Sequence, residues 1–173
     1  IVAPSHEQPV YGAEIAQRMT RYRDAILYVH DETVRGMNSG KSVYSLMQSI
    51  RLPAELAIPE TYGAVHWTVR GIFEGYIGWF DGEAATMYST AASVIYPDLV
   101  QLAGGANTVG MNAAQIAASD PEKALHMANA ALVAEPGNAA AVQAKRAALQ
   151  ALRARSVNSN EQGWLDAALS ELR

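Results

Sequence analysis

One pattern constrains the fold of this chain more than any other. Between residues 13 and 37, apolar side chains recur at alternating steps of four and three. Ile15, Met19, Tyr22, Ile26, Val29 and Thr33 make one stripe of a long helix. The other face carries Glu14, Arg18, Arg21, Asp24 and Arg35, and Asn38-Ser39-Gly40 supplies residues that tolerate a left-handed stop. Such a helix is roughly 35 Å long at 1.5 Å per residue. That is long for a small domain, so it needs a packing partner along its length.

Helical signals continue after this stop. Residues 42–50 predict a short helix with Val43, Leu46, Met47 and Ile50 on one side, ended by Leu52-Pro53. Residues 53–63 hold two prolines and read as a loop with at most one turn of helix. Residues 64–80 predict the most apolar helix, with Val65, Val69, Ile72, Phe73, Tyr76, Trp79 and Phe80 at helical spacing. Trp67 and Ile77 add apolar surface elsewhere on it, so burial on several faces is expected. Gly71, Gly75 and Gly78 weaken a helix, and close helix–helix approach is the expected reason for their presence. Asp81-Gly82 closes this part as a turn.

The last third is rich in alanine, and helices are predicted at about 90–103, 106–118, 121–134, 138–154 and 160–172. Asp120-Pro121 is a good start signal, an N-cap followed by proline at the first helical position. The run from Asp120 to Leu125, followed by Ala128, Ala131-Leu132, Pro136, Asn138, Ala141 and Ala148-Leu149, resembles a tetratricopeptide repeat. About one and a half units are visible, which predicts a few helical hairpins and not a free-standing solenoid. Residues 1–12 read instead as a short strand and a loop, with Pro4, Pro9 and Gly12 as punctuation. The expected fold class is therefore all-α: a helical bundle with TPR-like hairpins, preceded by a short strand remnant.

Composition removes several function classes. The net charge is −4 and no stretch is a basic cluster, which makes nucleic acid a poor partner. The chain has no cysteine, so disulfide frameworks and thiolate metal sites are excluded. That absence suits a cytoplasmic and a periplasmic protein alike. No apolar run approaches the roughly 20 residues of a membrane span, and no signal peptide is visible. The chain opens at Ile1 inside an apolar run, as expected of the cut end of a longer protein.

The four histidines are His6, His30, His66 and His126, and no two have the spacing of a helical or strand metal site. His30 and His126 are expected to be structural. His66 opens the apolar helix, where free N–H groups favour an anion, although a partly buried structural role is the expected one. Asp31-Glu32 reads as a solvated carboxylate pair. No Gly-rich phosphate loop and no G-x-S-x-G element is present, so nothing supports an independent catalytic constellation.

Three segments together resemble the alkylsulfatase branch of the metallo-β-lactamase superfamily. Pro4-Ser5-His6-Glu7-Gln8-Pro9-Val10-Tyr11-Gly12 looks like the end of the family's catalytic domain. Tyr22-Arg23-Asp24-Ala25-Ile26-Leu27-Tyr28-Val29-His30-Asp31-Glu32-Thr33 is similar to its first dimerisation helix. Tyr62-Gly63-Ala64-Val65, followed by Tyr76-Ile77-Gly78-Trp79-Phe80-Asp81-Gly82, resembles the most specific stretch of that domain. The chain departs from the pattern at Glu7 and Gln8, where many members have a histidine and a tryptophan. It also carries Phe80 in place of a tyrosine. The sequence does not contain the sterol-carrier-like domain found in some members, which leaves open whether the protein has one.

The resemblance implies a division into residues 1–12, a remnant of a metallo-β-lactamase-fold catalytic domain, and residues 13–173, a dimerisation domain. It implies a homodimer whose missing N-terminal half is a zinc hydrolase of sulfate esters, with two zinc ions and His6 as one ligand. Tyr62 and His66 become substrate-pocket candidates near the neighbouring active site. With one ligand the chain alone is expected to be inactive, since zinc sites use at least three protein ligands. The competing reading is a TPR-like adaptor for a partner protein. An adaptor has no use for an isolated strand ending in Ser-His-x-x-Pro. A weaker third reading, a ligand-binding bundle, rests on the aromatic helix at 64–80.

Overall fold

The computed structural model describes residues 1–3 and 8–172. The chain forms two compact units, Ile1–Asp81 and Gly82–Arg173, divided at the Asp81-Gly82 turn. Among the described residues the regular structure is helical, as the periodicity predicts. The expected N-terminal strand is reduced to a single antiparallel bridge between Val2 and Val10, with reciprocal N–H to O contacts of 2.9 and 2.8 Å.

The first unit contains α1 (Glu14–Asn38), α2 (Val43–Ser49), a 3-10 turn (Ala54–Leu56) and α3 (Val65–Ile77). α1 follows the predicted stripe and ends at Asn38, two residues before Gly40 with its φ of +73°. α2 starts on Ser42, whose hydroxyl accepts the Ser45 N–H at 3.3 Å. Val29, Leu46, Ile50, Val65, Val69 and Phe73 make the core. Thr33 is buried among them at no polar cost, because its Oγ1 donates to the Val29 carbonyl at 2.7 Å. α1 and α2 meet closely at Gly36, where an added Cβ would overlap the Leu46 side chain.

α3 is shorter than the sequence predicts. It stops at Ile77 because Gly78 takes a φ of +71°, which leaves Trp79 and Phe80 outside the helix. Only Val65, Val69 and Phe73 of α3 are buried, so the expected burial on several faces does not occur within this unit. Nor do Gly71, Gly75 and Gly78 mark a close approach. A Cβ at any of them would meet nothing within 4 Å.

The second unit contains 3-10 turns at Ala84–Met87 and Ala92–Ile95, then α4 (Tyr96–Leu102), α5 (Ala106–Ile116), α6 (Pro121–Ala134), α7 (Ala139–Arg155) and α8 (Ser159–Ser170). The predicted helix over 90–103 starts late for a steric reason. Pro97 lacks an N–H and fits only in a first turn, which sets the start at Tyr96. The Asp120 side chain caps α6 by accepting the Lys123 N–H at 3.2 Å. Asn138 does the same for α7 through the Ala141 N–H at 3.1 Å. α5, α6 and α7 pack in layers built largely of alanine. One layer holds Val100, Ala106, Val109, Ala131 and Ala141, the next Ala113, Ala128 and Ala144, and the third Ala117, Ala124 and Ala148. α5 and α7 approach closely at Gly110, where an added Cβ would overlap the backbone of Ala140 and Ala141.

Candidate functional site

α1 carries its apolar stripe past the end of its own packing. By helical spacing, Ile15, Met19, Tyr22 and Ile26 lie on or beside the face that bears Val29 and Thr33. Val29 and Thr33 are buried, whereas Met19 is 53% exposed and Tyr22 55%, with Ile26 and Leu27 also exposed. The first three turns of α1 therefore present uncovered apolar surface. They are flanked by charged groups already engaged locally: Arg18 with Glu14 at 2.8 Å and Arg23 with Asp24 at 2.6 Å. Three or four large apolar side chains left on one helix face are the kind of patch that marks an interaction surface.

The residues singled out in the sequence fall as follows. His6 lies outside the described residues. Tyr62 is half-exposed, in the loop that leads to α3. His66 stands exposed in the first turn of α3, its ring edge-on to Trp67 at 5.3 Å. The N-terminus of α3 already has an anion of its own: the Glu60 carboxylate accepts the Val65 N–H at 2.7 Å. Two clefts among the described residues of this unit are lined by other side chains than Tyr62 and His66. One lies against Gln17, Arg21, Asp24 and Glu55, the other against Tyr28, Arg35, Lys41 and Arg51. Among the described residues no three His, Asp or Glu side chains converge as a metal site would require.

A polar constellation that the sequence did not reveal joins α1 to the end of α3. His30 Nε2 is 2.7 Å from the Tyr76 hydroxyl, and Nδ1 is 2.9 Å from Asp31 Oδ1. Asp31, read from the sequence as merely solvated, thus orients the imidazole. No local pattern links residues 30 and 76, so only the fold brings them together. On the outer side of α3, Arg70 donates to Glu74 at 2.7 Å, and that bond and charge push the guanidinium pKa further above its already high value. No described helix is long and apolar enough to cross a membrane.

Comparison with known proteins bears on this surface. Residues 44–173 match the family profile for alkyl sulfatase dimerisation. The chain is 32% identical over 179 residues to a linear primary-alkylsulfatase of Pseudomonas sp. (strain ATCC 19151), covering 99% of this chain and 34% of that protein. It is 25% identical over 114 residues to an alkyl/aryl-sulfatase of Saccharomyces cerevisiae, covering 63% of this chain and 18% of that protein. The fold is similar to that of the stereoselective inverting sec-alkylsulfatase Pisa1 from Pseudomonas sp., with a TM-score of 0.87 at 23% identity over 97% of this chain and 28% of that one. The chain thus spans about a third or less of each of these relatives. These likenesses favour the alkylsulfatase reading over the repeat-adaptor one.

Proposed function

We propose, from the premise that this chain belongs to the alkyl sulfatase dimerisation family, that it pairs the subunits of a zinc-dependent sulfuric ester hydrolase and is inactive alone. The observation that carries the reading is the uncovered apolar surface at Met19, Tyr22, Ile26 and Leu27. An apolar helix face that continues beyond its own core is stabilised by burial, at about 25 cal/mol per Å² removed from water. A second copy of the same face supplies that cover, and a two-fold interface needs one self-complementary patch.

In this reading residues 1–12 end a metallo-β-lactamase-fold catalytic domain, and residues 13–173 form the pairing domain. His6 would ligate one of two zinc ions that activate water and polarise the sulfate ester. Among the described residues no three His, Asp or Glu side chains converge on a metal site, and in this reading the other ligands would come from the catalytic half. Tyr62 and His66 would lie near the active site of the neighbouring subunit. Unchanged kinetics for Tyr62→Phe in the intact enzyme would count against that placement.

Light scattering of the chain tests the pairing. A dimer is expected, and Met19→Glu together with Ile26→Glu should shift it to monomer with its helical circular dichroism intact. A wild-type chain that stays monomeric at high concentration would overturn the proposal.

A further inference from the structure

We infer that His30 is the middle member of a polar clasp, Asp31–His30–Tyr76, which fixes the last turn of α3 and the Gly78-Trp79-Phe80 segment that follows it. This inference stands on the geometry of the first unit and does not depend on the hydrolase reading.

The last turn of α3 lacks an apolar anchor. Phe73 is its final buried residue, while Tyr76 is 60% exposed and Ile77 is also exposed. Beyond them the chain turns through Gly78 at φ +71° and presents Trp79, 77% exposed, with its ring 5.5 Å from that of Phe80. Burial therefore holds neither the turn nor the aromatic pair. What reaches Tyr76 from the packed part of the unit is His30, which adjoins the buried Val29 on α1.

Chemistry gives the contact a direction. An ionised carboxylate only accepts hydrogen bonds, so Asp31 places the proton of the neutral imidazole on Nδ1. Nε2 is then an acceptor, and the Tyr76 hydroxyl donates to it over 2.7 Å. The imidazole and phenol rings are 5.8 Å apart and tilted by 52°. His30 is a positioning residue: it acts on Trp79 and Phe80 through Tyr76, and Asp31 sets its tautomer.

A single reporter tests the clasp. With Trp67→Phe and Trp164→Phe, Trp79 is the sole tryptophan of the 173-residue chain. In that background His30→Ala and Tyr76→Phe are each expected to release Trp79 from whole-molecule tumbling into local motion of about a nanosecond or faster, read by fluorescence anisotropy decay. The double variant should lose no more than either single one. His30→Gln, whose amide oxygen can accept from the phenol, should restore the slow decay. Nitrogen-15 NMR of the wild-type chain gives an independent reading, and with the ring neutral His30 should be protonated at Nδ1. Unchanged Trp79 motion in both single variants, additive losses in the double, or a proton on Nε2 would each overturn the inference.

Discussion

A methyl group added to Gly110 would sit 2.6 Å from the backbone nitrogen of Ala141. α5 and α7 thus touch through backbone, which cannot swing aside as a side chain can. Gly110→Ala is expected to lower the stability of the second unit by about 1–3 kcal/mol, the usual cost of overpacking. Urea denaturation followed by circular dichroism measures it, and a stability equal to wild type would mean that the helices part more easily than this spacing allows.

The same substitution at Gly71 should have the opposite sign. It is helical, its φ is ordinary, and a Cβ there meets nothing within 4 Å. Gly71→Ala should stabilise the chain by about 0.5–1 kcal/mol through the smaller backbone entropy lost on folding. A destabilised variant in the same urea assay would place hidden contacts on that face of α3.

Gly36 and Leu46 share one space, since a Cβ on Gly36 would overlap the Leu46 side chain. Leu46 is 2% exposed, so Leu46→Ala alone should cost about 2–5 kcal/mol. Gly36→Ala alone should also destabilise. In the double variant the new methyl enters the vacated volume, and the combined loss should fall short of the sum of the two. Thermal melts of all four proteins decide this, and strict additivity would contradict the shared-space account.

The proposed ligand role of His6 gives a metal prediction for the intact enzyme of the proposed kind. His6→Ala should lower bound zinc by about one ion per subunit, because three protein ligands are the usual minimum for a stable site. Metal analysis of the purified variant would show full occupancy if His6 has no such role.

Much of the fold could be read from residue order because its signals are local. The four-and-three spacing of Val29 and Thr33, the proline after Asp120 and the glycine at position 40 each act on neighbours a few residues away. Two local signals act against the longer helical patterns: Pro97 delays α4, and Gly78 ends α3 before Trp79. What the order of residues could not reveal was pairwise and distant. Gly36 meets Leu46, Gly110 meets Ala141 and His30 meets Tyr76 only once helices have docked. Exposure of the stripe from Met19 to Ile26 is hidden for the same reason: an uncovered apolar face and a covered one have the same periodicity. Of the candidate residues, Tyr62 and His66 were picked by likeness to a family. The structure places them in a loop and in a first helical turn.

The alanine layers between α5, α6 and α7 have a mechanical consequence. A methyl group has no rotamers, so these layers give up almost no side-chain freedom on folding and have no alternative arrangement to adopt once folded. Where methyls alone separate α5, α6 and α7, a displacement of one helix is not taken up by side chains changing rotamer, and its neighbours must follow it.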